Sequence, residues 1–276
     1  MKRLLLCLLP TAAAQAHHGQ DFFVTLDTRV PEFAHGSVFT AASWAENSGA
    51  DETVLDAGFL AGLGAGFAAG ATVQSSNETP GSFGYAGITP LLQWTAPLGD
   101  GALRFGASAS YHFADSSHTV SHFAFHRHVA PDPGGGPGGN PDAPPAGSGG
   151  THIHGGGHSH SHDGIHRHGE DHFQARLIGE WQAGADTRVL LNLIAVGTGD
   201  DDIDFGYALA LRREITATLA AGLECTGDLD SHGRHEAIAG LFYLPRHDLT
   251  LRLGAGGGFG PGAASLLLHG GLTWRF

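Results

Sequence analysis

Residues Ile215-Thr216-Ala217-Thr218-Leu219-Ala220-Ala221-Gly222-Leu223-Glu224-Cys225-Thr226 alternate strictly between two faces. Ile215, Ala217, Leu219, Ala221, Leu223 and Cys225 fall on one side, and Thr216, Thr218, Ala220, Gly222, Glu224 and Thr226 on the other. Successive side chains of a strand point to opposite faces, so this period-two pattern predicts a β-strand. Its polar side decides among β folds. A soluble sandwich would turn charged side chains to water, whereas here that side is small and almost uncharged. Such a face suits a crowded barrel interior, with the apolar face against lipid.

Working outward, the same alternation recurs. Leu249, Leu251, Leu253 and Ala255 oppose Thr250, Arg252 and Gly254. Leu103, Phe105, Ala107, Ala109 and Tyr111 oppose Arg104, Gly106, Ser108, Ser110 and His112. Ile203, Phe205, Tyr207, Leu209 and Leu211 oppose Asp204, Gly206, Ala208, Ala210 and Arg212. Strands are predicted near 37–46, 54–62, 67–75, 86–95, 102–112, 172–182, 187–197, 203–212, 215–226, 235–244, 248–257 and 265–276. No later stretch approaches the roughly 20 apolar residues that a spanning helix requires. The expected fold is therefore all-β, a transmembrane antiparallel up-and-down β-barrel of about twelve strands. Its turns sort into a short set (62–66, 96–101, 183–187, 213–214, 245–247) and a longer set, the asymmetry expected of periplasmic turns and outer loops. Gln20–Thr28 fits none of these strands; it reads as a periplasmic lead-in, a lumen insert or an extra strand.

The beginning of the chain reads as an export signal. Met1-Lys2-Arg3 precedes the apolar run Leu4–Pro10, and Ala14-Gln15-Ala16 has the small-residue pattern of a cleavage site. Residues 1–16 are thus expected to be a signal peptide and 17–276 the mature barrel. Cys7 raises a lipoprotein signal as the lesser reading, since only three apolar residues precede it. Cys225 would then be the single mature cysteine, which excludes an internal disulfide. The net charge of −13 argues against nucleic acid as a partner.

The chain closes on Thr273-Trp274-Arg275-Phe276, with Leu266, Leu268, Leu272, Trp274 and Phe276 on one face. This ending resembles the terminal aromatic signature of bacterial outer-membrane proteins, which implies recognition by the barrel assembly machinery and residence in outer-membrane lipid. Separately, His17-His18-Gly19-Gln20-Asp21-Phe22 onward, and the stretch from Gly233-Arg234-His235-Glu236-Ala237 to Phe276, look similar to outer-membrane channels associated with phenol-pathway operons. That resemblance implies a channel and supplies no catalytic residue; the long loop departs from it as an insertion.

Alternation places Arg104, Arg176, Arg188, Arg212, Arg252 and Arg275 on the inward face, with Glu180, Glu224, Asp204, Asn192, His112 and His269. Two readings are open: mutual ion pairs that fill a narrow lumen, since a lone confined charge is costly, or an arginine-lined path for small anions.

Thirteen of the 20 histidines lie from His112 to His172. The insertion 113–171 contains a Pro/Gly run from Ala130 to Gly150, expected to be disordered because it cannot pack a core. His152, His154, His158, His160, His162, His166, His168 and His172 follow it. In an extended chain, residues i and i+2 share a side about 6.5–7 Å apart, so such pairs can bind zinc, copper or nickel. The opposing reading is a polar surface tract with no selected role. His17, as a mature amino terminus, is a further candidate copper ligand.

Together these features point to an outer-membrane channel or uptake protein with a surface metal-binding loop, requiring no cofactor. Asp51, Glu52, Glu78, Asp200, Asp201, Asp202, Asp228 and Asp230 on the loop side would raise local cation concentration. Partners are expected to be lipid, the assembly machinery, and divalent metal ions or small solutes. The alternative is a non-conducting surface protein anchored by its barrel. An outer-membrane lipid hydrolase is a distant third: such enzymes use a serine–histidine pair on a strand at the membrane edge, whereas the repeats around His158–Ser161 lie within floppy sequence, so no enzyme is expected.

Overall fold

The computed structural model describes residues 21–46, 51–79, 82–99, 101–115, 171–197, 203–229, 233–260 and 263–276. Twelve strands close into one antiparallel barrel. They are β1 Gly36–Glu46, β2 Glu52–Gly64, β3 Phe67–Thr79, β4 Ser82–Leu98, β5 Leu103–Ala114 and β6 His172–Gln182. β7 Thr187–Gly197, β8 Asp204–Thr216, β9 Leu219–Asp228, β10 His235–Arg246, β11 Leu249–Phe259 and β12 Leu266–Arg275 complete the ring. Each strand pairs with its sequence neighbours, and β1 closes on β12 from Ser37–Arg275 to Glu46–Leu266. Closure removes the sheet edges, whose backbone groups would otherwise lie unpaired in lipid.

The outward positions carry the large apolar side chains. Leu253 and Leu177 are 71% and 64% exposed, in company with Leu191, Leu209, Leu223 and Leu241. Aromatic residues flank this belt at both ends. Phe67, Trp94, Trp181, Tyr243, Trp274 and Phe276 are exposed towards the short turns. Phe83, Tyr85, Tyr111, Phe113, Phe173, Phe205 and Phe259 are exposed towards the long loops. An apolar band between two aromatic girdles is the exterior of a membrane barrel, whose rings sit at headgroup level.

The stretch Ile215–Thr226, read in the sequence as one strand, is not one. β8 runs through Arg213 and Glu214 to Thr216, the chain reverses at Ala217–Thr218, and β9 begins at Leu219. The physical reason lies in composition. Ile215, Thr216 and Thr218 are β-branched and no glycine or proline marks the reversal, so a two-residue turn passes unseen. A register shift between Glu214 and Thr216 absorbs the irregularity. Because such a turn preserves parity, Leu219, Leu223 and Cys225 still face outward and Glu224 inward. Where the turn is steep, glycine does appear: Gly64 and Gly66 flank Ala65 with all three at positive φ, and a Cβ on Gly66 would meet the Thr95 carbonyl oxygen at 2.2 Å.

Gln20 lies outside the described residues. The rest of the unassigned stretch, Asp21 onward, is a lumen insert rather than a lead-in or a thirteenth strand.

Candidate functional site

The insert fixes the geometry of the interior. Asp21 lies among arginines near the short-turn end, the chain climbs towards mid-barrel at Phe23–Thr25, and it returns past Val30 to enter β1 at Gly36. Asp21, Phe22, Thr25, Leu26, Asp27, Thr28 and Val30 are all buried. An extended segment without a strand partner leaves its peptide groups to be satisfied by side chains, and wall residues do so here.

Glu224 on β9 accepts the backbone N–H groups of Phe23, Val24 and Thr25 at 2.7, 2.9 and 3.0 Å. Asn192 on β7 accepts from Leu26 N–H at 2.8 Å and donates to the Leu26 carbonyl at 2.9 Å. Glu180 on β6 accepts from the Thr28 hydroxyl at 2.6 Å and its backbone N–H at 3.2 Å. Gln93 on β4 donates to the Asp27 carbonyl at 2.6 Å. Hydrogen bonds to a charged acceptor contribute about 1.5–3 kcal/mol each, so the Glu224 cluster is a principal anchor.

The charges form a second set of anchors. Arg188 on β7 pairs with Glu180 at 2.9 Å, with Asp27 at 3.2 Å and with Asp21 at 3.8 Å. Arg212 on β8 approaches Asp21 at 3.5 Å, and Arg275 on β12 also pairs with Asp21. Arg29 reaches Glu180 at 3.6 Å. Thus wall arginines converge on acids that the threaded segment supplies.

Glycine makes room for the aromatic part of the insert. Phe23 lies so close to β10 and β11 that a Cβ on Gly240 would sit 2.2 Å from its ring, and one on Gly254 would sit 2.8 Å away. Phe23 also packs against Phe242, with ring centroids 5.3 Å apart. Phe22 contacts Leu190 and Ala210, beneath the Arg188 guanidinium at 5.1 Å.

Among the sequence-derived candidates, Arg104, Arg176, Arg188, Arg212, Arg252, Glu180 and Glu224 all project inward. Their partners differ. Arg188, Arg212, Glu180 and Glu224 grip the insert; Arg252 lies 3.4 Å from the Thr273 hydroxyl. Arg104 stands in register opposite Glu180 and makes no ion pair among the described residues. Of the histidines assigned to metal, His152, His154, His158, His160, His162, His166 and His168 lie outside the described residues. His172 opens β6, opposite His112 on β5, with the two rings stacked at 5.0 Å. The sequence reading missed Asp21, Asp27, Thr28 and Gln93 as interior partners. A signal existed in the surplus of inward arginines over inward acids, which calls for carboxylates from elsewhere in the chain.

A cavity of about 270 Å³ remains between Phe22–Leu26 and the walls of β3 to β7 and β9, on the loop side of the insert. A larger groove, about 850 Å³, lies over β8–β12, but its leucine and alanine lining is the lipid-facing surface and not the lumen.

No family model matches the chain, and a search of curated proteins finds no match. Among solved structures, the chain is similar to an outer-membrane channel from Pseudomonas putida F1, at 12% identity and a TM-score of 0.54, over 90% of this chain and 97% of that one. It is also similar to the KdgM porin, at 9% identity and TM-score 0.51 over 87% and 99%. The NanC porin gives 10% identity and TM-score 0.50 over 85% and 98%. These likenesses establish the fold as that of bacterial outer-membrane barrels, and the apolar exterior fits that membrane.

Proposed function

We propose that this chain is an outer-membrane channel or uptake protein for small solutes, whose histidine-rich loop 113–171 captures divalent transition metal at the outer opening. The observation that carries the channel reading is the content of the lumen. The interior holds one chain segment, gripped by hydrogen bonds and ion pairs beside small apolar clusters around Phe22, Phe23 and Val30, with a cavity of mixed polar and apolar lining left next to it. The polar part of that grip can be exchanged for water or solute more readily than a continuous apolar core. The likeness in fold to channels and porins supports the same reading, and one such porin is described in complex with oligogalacturonate.

The metal part of the proposal rests on composition alone: paired histidines at i, i+2 spacing, without thiolates, suit zinc, copper or nickel. No cofactor is required for the barrel itself. Outer-membrane lipid and the barrel assembly machinery are the partners proposed for insertion.

Planar-bilayer conductance of the wild type and of a form lacking residues 116–170, alongside zinc titration of both, tests the two parts separately. Conductance in both forms, with metal uptake only in the wild type, is the expected result. An electrically silent wild type that stays silent when the insert is loosened would favour the second reading, a barrel that merely anchors a surface metal-binding loop. The lumen insert is the observation that keeps this second reading in play.

A further inference from the structure

We propose that the cavity beside the lumen insert is a binding site for a small organic monocarboxylate, with Arg176 as its anion-binding group. The proposal deepens the uptake reading and rests on it for its biological meaning, though not for its test.

Arg176 differs from the other arginines that touch the insert. Arg188, Arg212 and Arg275 each meet a carboxylate. The Arg176 guanidinium meets neutral acceptors: Gln174 Oε1 at 3.0 Å from Nε, and the Val24 carbonyl and Asn192 Oδ1 at 3.2 and 3.5 Å from Nη1. Among the described residues no carboxylate pairs with it, and Nη2 makes no hydrogen bond. The neighbouring acids are engaged elsewhere. Glu224 serves three N–H groups of the insert, and Asp27 serves Arg188. An enclosed cation without a counter-charge is costly, and a bound anion would offset that cost.

The remaining lining narrows the ligand. Thr89, Ser108, Ser110 and Gln174 present hydroxyl and amide groups, and Leu91 and Ile194 present apolar surface. A single guanidinium in a confined site matches one negative charge; a dianion would leave a surplus. The apolar side chains match a short hydrocarbon body. The polar groups can complete the carboxylate's hydrogen bonds, and charge-assisted bonds from arginine to carboxylate are among the stronger ones available. Thr89, Ser110 and Gln174 stand towards the ends of β4, β5 and β6 that carry the long loops, so the site opens towards that end of the barrel.

The test is calorimetric titration of the folded, detergent-solubilised full chain with hexanoate, its neutral analogue hexanamide, and inorganic phosphate. Hexanoate should bind, with hexanamide and phosphate at least tenfold weaker. R176Q should lose at least tenfold in hexanoate affinity, while R176K retains part of it. S110L, which fills the cavity without touching the bonds between Arg176 and the insert, should lose as much as R176Q. Heat-modifiable migration confirms that each variant is folded. Equal hexanoate affinity in the wild type and R176Q, equal affinity for hexanamide, or no binding by the folded wild type would overturn the proposal. Tighter binding of phosphate would replace the organic acid by an inorganic anion. Conductance of the same samples keeps the two readings apart: a conducting barrel that does not bind hexanoate loses only this site, and a silent barrel that binds it loses only the channel.

Discussion

Asp21 and Arg275 are hydrogen-bonded across 254 positions of sequence, joining the start of the lumen insert to the last strand of the ring. The same carboxylate lies 3.5 Å from Arg212 and 3.8 Å from Arg188, so three strands of the wall share one acid. This arrangement, and the Glu224 cluster above it, make the insert the component whose perturbation is most informative.

Replacing Glu224 by alanine removes the acceptor for three backbone N–H groups while leaving every strand pairing intact. The N–H groups of Phe23–Thr25 would then be buried without partners, at about 1–3 kcal/mol each unless the segment moves. The expected outcome is a displaced insert and a larger single-channel conductance, with normal heat-modifiable migration. Glu224→Gln, which keeps one acceptor oxygen, should fall between the two. Conductance unchanged from wild type in Glu224→Ala would place the barrier to ions elsewhere.

A side chain at position 240 competes with Phe23 for the same space. Gly240→Leu should therefore expel the insert and raise conductance, as Glu224→Ala does. Adding Phe23→Ala should return conductance part of the way to wild type by vacating the seat, the signature of coupled neighbours in a double-mutant cycle. Strictly additive effects of the two changes would show that ring and glycine do not meet.

Trp274 and Phe276 face outward at the short-turn end, where the Trp274 indole N–H donates to Asp248 at 3.2 Å. The Phe276 backbone exchanges two hydrogen bonds with Gly36, each 2.9 Å, at the seam. Converting both side chains to serine should lower the folded fraction, since an interfacial aromatic anchor and the terminal aromatic pattern are both lost. The ratio of heat-modified to unmodified bands on gels measures it. A wild-type ratio would mean that backbone pairing alone secures the seam.

Metal loading should depend on pH. An unperturbed histidine titrates near about 6.5, and a ligand imidazole must be deprotonated. Zinc, copper or nickel should therefore bind the 152–172 tract at neutral pH and leave near pH 5, as neighbouring imidazolium groups repel both one another and the ion. Strand content by circular dichroism should not change over that range. Replacing His158, His160, His162, His166 and His168 by alanine should abolish most of the uptake. Affinity that is equal at pH 5 and 7.5, or uptake surviving all five substitutions, would remove the loop as the metal site.

The barrel was legible because lipid imposes a one-sided demand on each strand, and Leu249, Leu251 and Leu253 announce it without ambiguity. The turn at Ala217–Thr218 was not, because threonine and alanine suit a strand as readily as a tight reversal. The inward direction of Arg188 and Glu224 followed from parity alone. What they hold did not. Asp21 and Asp27 sit in a segment with no periodicity, and nothing local to Asp-Phe-Phe-Val says that its peptide groups will be met by side chains about 150 to 200 residues away. Alternation reports which way a side chain points; only the closed ring reports what it meets there.

The threaded segment also links the bore to the seam of the ring. It runs directly into β1, and β1 is the strand that must find β12 to complete the circle. Were the circle to close first, Arg188, Arg212 and Arg275 would line the bore without Asp21, and Arg188 would keep Glu180 alone of the acids it meets. Asp21, on the segment that leads into β1, meets Arg275 on β12, so the filling of the bore and the seam of the ring share one contact.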